Sequence, residues 1–162
     1  MFNLGLNSLR YAKYLPIVCD PKELHQVSRP TTMEEVRSMG LVAKLRKANK
    51  KAWTSGCGLA AIQIGIPVRF AWFIFKKKEF KLLNPEIIEK RIPVVHCGEG
   101  CLSIPNVRID ILRYNEIVYV SDGKTRKAKG LKAFIIQHEI DHMDGILITD
   151  KKEGKTNAQI NS

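Results

Sequence analysis

From residue 33 to 53 apolar side chains recur at helical spacing, at Val36, Val42, Leu45, Ala48 and Ala52, which predicts one amphipathic helix. Thr32 followed by Glu35 reads as a capping box at its start. Gly40 interrupts the pattern unfavourably, and the helix should stop before Gly56. The period then changes. Residues 66–75 read as a strand with Pro67 near its beginning, and residues 80–83 and 87–95 as strands on either side of an Asn84-Pro85 turn. A fourth strand is predicted over 104–112, broken by polar residues, and a fifth over 117–120, ending in the turn signal Asp122-Gly123.

The last predicted element differs in kind. Residues 131–143 carry Leu131, Ala133, Phe134, Ile135, Ile136 and Ile140, apolar on nearly every side. Such a helix belongs inside a core, and Gly145 is placed to end it. Strands first and a buried helix last predict an α+β domain, with mixed or antiparallel sheets wrapped around a buried C-terminal helix.

The 162 residues suit a single domain large enough to bury a core. No repeat, low-complexity stretch or linker divides them. Residues 1–15 read as an N-terminal extension, 16–150 as the main domain and 151–162 as a short polar basic tail. No apolar run approaches bilayer length; the stretch from Phe70 to Phe75 stops at Lys76-Lys77-Lys78. Cys19, Cys57, Cys97 and Cys101 are irregularly spaced and no secretory signal precedes them, which points to free thiols in a reducing cytoplasm. The net charge of +11 suits contact with RNA, DNA or acidic lipid, and equally suits a solvated basic surface.

The buried helix also carries chemistry. It contains Gln137-His138-Glu139-Ile140-Asp141-His142, an H-E-x-x-H pattern. Residues four apart share a helix face, so both imidazoles can reach one ion, with Glu139 beside them to handle a proton. A chance match is disfavoured by burial, because two histidines, two acids and a glutamine in an apolar helix are costly without partners. A catalytic metal usually takes three protein ligands. Downstream, Ile148 stands where one protease pattern has a third His, and Glu153 is the sole Glu after His142. The third ligand is therefore expected upstream, and Cys101, in Glu99-Gly100-Cys101-Leu102-Ser103, is the best candidate. A third segment, Gly56-Cys57-Gly58-Leu59-Ala60-Ala61-Ile62-Gln63, offers small residues for close packing and an amide, Gln63, able to donate to an oxyanion.

Together these segments resemble the peptide deformylase family, which carries Gly-x-Gly-Leu-Ala-Ala-x-Gln, Glu-Gly-Cys-Leu-Ser and Gln-His-Glu-x-Asp-His in this order. All three are complete here. Asn84-Pro85-Glu86, Pro105 with Arg108, and Gly130-Leu131 add smaller similarities. The resemblance implies Cys101, His138 and His142 as metal ligands and Glu139 as general acid/base. It implies Gln63 and the Leu102 backbone N–H as oxyanion donors. It further implies substrate contacts from Cys57, Gly58, Gly100, Leu131, Phe134 and Ile135. The substrate would be the N-formylmethionyl end of a nascent peptide. The metal would be Fe²⁺, with Zn²⁺, Ni²⁺ or Co²⁺ as possible substitutes. A ribosome contact through the basic surface would fit, although the short tail has no long amphipathic helix. Two other readings stay open: a metalloprotease cutting internal peptide bonds, and a non-catalytic RNA-binding protein with a structural metal.

Overall fold

The computed structural model describes residues 17–52 and 57–151. Three short helices come first: α1 (Pro21–Leu24), α2 (Met33–Ser38) and α3 (Leu41–Lys51). The strands β1 (Gly58–Ala60), β2 (Phe70–Phe75) and β3 (Lys78–Leu83) form one sheet in that order. Strands β4 (Glu86–Cys101), β5 (Ile104–Ser121) and β6 (Lys124–Lys129) form another. Every ladder in both sheets is antiparallel, and an isolated parallel bridge joins Arg29 to Val68. The helix α4 (Leu131–Met143) follows, then a 3-10 turn over Ile148–Lys151.

The layers follow from which faces are apolar. One core cluster joins Ala133, Ile136, Ile140 and Met143 of α4 to Ala71, Phe73 and Leu82 of the first sheet and to Ile117, Tyr119 and Ala128 of the second. The α4 helix therefore lies between the sheets, as its all-round apolar composition predicts. A second cluster packs Val36, Leu41, Leu45 and Ala48 of α2 and α3 against Leu59, Phe70 and Trp72. Phe70 and Trp72 face one layer while Ala71 and Phe73 face the other. That is why β2 reads as a continuous apolar run instead of an alternating one.

Several elements differ from expectation for identifiable reasons. The single helix predicted from 33 is two, because Gly40 takes a left-handed conformation (φ 60°) and caps α3. Its expected end at Trp53 lies outside the described residues. Thr32 does cap α2, its Oγ1 accepting from the Glu35 N–H at 3.1 Å, but the Glu35 carboxylate turns away to Arg29 and Thr31, so only half of the capping box forms. The expected strands 104–112 and 117–120 are one 18-residue strand. The polar stretch between them holds its ladder because Arg113 is buried against carboxylates instead of projecting into water. Strand β6 and helix α1 have no clear sequence signal: β6 buries only Ala128 among five polar residues, and α1 is a single turn opened by Asp20 and Pro21.

The C-terminal end of α4 matches its prediction. Gly145 adopts φ 71°, and the Ile146 N–H donates to Asp141 O (2.8 Å) while the Gly145 N–H donates to His142 O (3.3 Å). This is a Schellman closure. It fixes the phase of the turn that carries His142. Among the described residues no helix is long and apolar enough to cross a membrane.

Two substitutions separate core burial from backbone strain. Ile136 has no exposed surface, so Ile136→Ala should cost about 2–5 kcal/mol through transfer and cavity terms. Gly40 has nothing within 4 Å of an added Cβ, so Gly40→Ala should cost only about 1–2 kcal/mol, from the left-handed backbone alone. Urea denaturation of both variants checks the ordering.

Candidate metal centre and active site

The site gathers three chain segments onto one end of α4. Helical spacing places His138 and His142 one turn apart, with their rings 4.8 Å apart between centroids. Strand β4 brings in the third donor. Its register slips between His96 and Glu99 and again between Glu99 and Cys101. A bulge inserts a residue and re-aims side chains. Here it lets His96 and Glu99, an odd number of residues apart, line the same cavity.

The donor atoms of Cys101, His138 and His142 lie within 4.8 Å of one another. Cys101 Sγ is 3.2 Å from His142 Nε2, which is 3.2 Å from His138 Nε2. His138 Nδ1 lies 2.7 Å from Glu99 Oε1. Burial alone would raise the Glu99 carboxyl, but hydrogen bonds from His138 and Arg113 outweigh it and hold it well below the usual range. Glu99 is therefore an acceptor, the His138 proton sits on Nδ1, and the Nε2 lone pair faces the other donors. Lone pairs converging this closely in a buried site repel unless a cation lies between them. The donor set, two imidazoles and one thiol, suits a first-row divalent ion. Among the described residues this cluster supplies three protein donors, which leaves room for water or substrate and does not make a closed structural site.

A charged chain stands behind His138. Arg113 is 1% exposed and donates to both Glu99 oxygens, at 2.9 and 2.5 Å, and to Asp141 Oδ2 at 2.5 Å. Lys151 Nζ closes the far end on the same Asp141 oxygen at 2.5 Å. Burial opposes the charge on Arg113, and the two carboxylates more than restore it. Gln137, the neighbouring polar residue of α4, is occupied by the β5 backbone: its Oε1 accepts from the Tyr114 N–H (2.9 Å) and its Nε2 donates to Tyr114 O (2.8 Å).

Glu139 has a different environment. It is 2% exposed, and its Oε2 has no hydrogen-bond partner. Burial pushes its carboxyl up to about 7, against the opposing pull of His138. Gly58 makes room for it, since a Cβ there would stand 2.8 Å from Glu139 Oε1 and 2.5 Å from the Phe73 Cβ. Gln63 sits on the 3-10 turn Ala61–Ile64. Its Oε1 accepts from the Ala60 N–H (2.9 Å), which aims its Nε2 at Ser103 Oγ (3.1 Å) and Cys101 Sγ (3.6 Å).

A cavity of about 430 Å³ opens onto these groups. Cys57, Gly58, Gly100, Leu131, Phe134 and Ile135 all line it, as do Gln63, Cys101, Leu102, His138 and Glu139. His142 lies behind them, 1% exposed. Gly56, which opens the first motif, is outside the described residues. Reading the sequence missed His96, Asn106 and Val107 on the cavity wall, gave Arg108 only as one of the smaller similarities, and missed Arg113. His96 packs against Phe134 with ring centroids 4.7 Å apart. Arg108 lies across Gly100, where any Cβ would overlap its guanidinium. Only pairing in space reveals these partners; the Glu99-Gly100 step was the one local hint of a close approach.

Replacing Arg113 should test the charged chain. Arg113→Met would leave two buried carboxylates short of a cation, a change that typically costs about 3–5 kcal/mol. The expected result is a urea midpoint well below wild type, while Lys22→Met, an exposed substitution, leaves it nearly unmoved.

Comparison with known proteins agrees with the geometry. The polypeptide deformylase family model matches residues 14–158. The chain is 42% identical over 107 residues to a peptide deformylase of Dictyoglomus thermophilum, covering 63% of this chain and 69% of that one. It is 36% identical over 152 residues to peptide deformylase 1 of Rickettsia conorii, covering 84% and 86%. The crystal structure of a peptide deformylase from Thermotoga maritima superposes with a TM-score of 0.74 at 29% identity, over 86% of this chain and 97% of that one. With the metal-ready cluster on α4, these matches show that the chain belongs to the peptide deformylase family, a family of metal-dependent hydrolases.

Proposed function

We propose that this chain removes the formyl group from the N-terminal N-formylmethionine of nascent peptides, releasing formate. The observation that carries this reading is the convergence of Cys101, His138, Glu139 and Gln63 on the end of one cavity, with His142 directly behind them. Cys101, His138 and His142 would hold the ion, with Glu99 fixing the orientation of His138. A divalent ion there supplies Lewis acidity, lowering the pKa of water and polarising a carbonyl. Glu139 accepts the proton of the attacking water and passes it to the leaving nitrogen; a carboxyl raised to about 7 suits both tasks. The Gln63 amide and the Leu102 N–H donate to the oxyanion. Cys57, Leu131, Phe134 and Ile135 receive the methionine side chain, and Gly58 and Gly100 contact the substrate beside them. A formyl carbon carries only hydrogen, so a tight end to the cavity admits it and rejects larger acyl groups by size.

No observation favours cleavage of internal peptide bonds, and a three-donor site does not suit a purely structural metal. A cytoplasmic place of action goes with this reading. So does contact with the ribosome, for which the charge of +11 speaks. Formate release from formyl-Met-Ala-Ser, abolished by a chelator and restored by divalent metal, tests the assignment. Casein digestion without formate release would replace it with a protease.

Glu139→Gln preserves size and removes the proton acceptor. Metal content should stay near wild type while turnover falls by about 10² or more. Near-normal turnover in a metal-replete variant would sink the role given to Glu139.

The working ion is proposed to be Fe²⁺, with Ni²⁺ or Co²⁺ active and Zn²⁺ weaker. Iron beside a thiolate is vulnerable: oxygen can oxidise the iron and then Cys101, and sulfinic or sulfonic forms are not recovered. Protein loaded with Fe²⁺ without oxygen should be the most active form and should decay in air, with added oxygen mass on Cys101. Equal activity of zinc and iron forms, with Cys101 unchanged in air, would make this a zinc enzyme.

A further inference from the structure

A second cavity, of about 380 Å³, lies against the same helix. Leu131 and Lys132, neighbours on the first turn of α4, line the first and second cavities respectively. Around the second, Arg126 of β6 and Lys132 face one space; Lys81 also lines it, but Lys81 pairs with Trp72 in the ladder, so its side chain takes the α3 face of the first sheet. The single carboxylate there, Glu79, is already held by two hydrogen bonds from Arg46. Among the described residues neither Arg126 nor Lys132 forms an ion pair with a carboxylate. Both are also held in place. Arg126 Nη1 donates to Ser121 O (2.6 Å) and Lys124 O (3.2 Å), and Lys132 Nζ rests 3.9 Å from the centre of the Phe80 ring. Strand β6 pairs Arg126 with Tyr119 on the core side of the sheet. The gap between the sheets thus turns from apolar at Ile117 and Ala128 to cationic at its open end.

We propose that this cavity seats a backbone phosphate of RNA, which neutralises Arg126 and Lys132 together. A planar guanidinium and an ammonium group around one space match a phosphate's spread of acceptor oxygens. The aromatic rings present are not free to stack on a base: Phe80 stacks on Phe73 at 5.1 Å and carries Lys132, and Tyr119 is buried. Recognition is therefore of the backbone, independent of sequence. A lipid headgroup offers the same phosphate, but none of the exposed large hydrophobic side chains among the described residues lines this cavity to enter a bilayer. Exposed Lys124, two residues from Arg126 and on the same face of the edge strand β6, continues the positive surface, as a polyanion longer than one phosphate requires. The inference deepens the ribosome contact proposed above by naming the ligand. It also has a consequence for that function, since RNA held at Lys132 fixes the direction in which the neighbouring catalytic cavity opens.

The test uses the metal-loaded full chain and a fluorescent RNA duplex of mixed sequence, with binding followed by anisotropy over a range of salt. The double variant Arg126→Gln/Lys132→Gln should bind on the order of tenfold more weakly at low salt. Its log affinity against log salt should be shallower by about 0.9, because one phosphate fewer is neutralised and its counterions stay bound. Lys22→Gln/Lys90→Gln removes the same charge from residues lining neither cavity and should weaken binding less than about twofold. Formate release should be unchanged in both, which separates failure here from failure of the deformylase reading. If the first pair does not fold, Arg126→Gln and Lys132→Gln singly serve in its place. The proposal is overturned by equal losses in the two double variants, by no RNA binding at low salt, or by binding to phosphatidylglycerol vesicles without binding to RNA.

Discussion

The structure depends on the burial of ionisable groups by α4. Between two sheets, with the apolar side chains of both against it, this helix carries Glu139 and His142 out of water and leaves His138 and Asp141 only partly exposed. Each of those groups would be expensive in such a place without a partner. The strands beside it meet that demand. Glu99 reaches His138, Arg113 reaches Glu99 and Asp141, and the Tyr114 backbone takes Gln137. The bulge in β4, the buried arginine in β5 and the Schellman closure at Gly145 are separate devices in sequence. Physically they serve one requirement, that α4 sit at a fixed height and rotation between its sheets.

Much of the fold was legible because its signals are local. The limits of α4 follow from a dense apolar run stopped by glycine, and β2 from six consecutive apolar residues before three lysines. What failed to read was decided elsewhere in the chain. Strand β6 has almost no apolar alternation; it is a strand because β5 offers it a ladder from Glu116 to Ser121. The joining of 104–112 to 117–120 depends on Arg113 finding Glu99 and Asp141, which periodicity cannot express. Gly40 is a visible weak point in the helical pattern, but its left-handed conformation, and hence two helices instead of one, is set by packing α2 and α3 onto the first sheet.

The site divides along the same line. The three motifs each place their own residues within a few positions, so Cys101, His138, His142, Glu139 and Gln63 could be named from sequence, and the cavity wall brought Cys57, Gly58, Gly100, Leu131, Phe134 and Ile135 around them. The supporting residues were invisible because their pairing is long-range. His96 meets Phe134 across 38 positions of chain, and Arg108 is located by the absence of a side chain at Gly100. A motif names the groups that touch the reaction; the groups that hold them still are found by asking which buried charges remain unbalanced.

That question also distinguishes the two acids nearest the metal donors. Glu99 and Glu139 are both buried, yet they are driven in opposite directions. Glu99 meets a guanidinium and an imidazole N–H and stays ionised. Glu139 faces the cavity with one oxygen unpartnered, and burial raises it to about 7. Exchanging those environments would defeat the proposed chemistry, because a carboxylate held far below its usual range is too weak a base to take a proton from water. A carboxyl near neutrality in the Glu99 position would not hold the His138 tautomer. The fold thus assigns one acid to orientation and the other to proton transfer by what each is packed against. Arg113, which pairs with Glu99 and lines no part of the cavity, is the group that keeps the two apart.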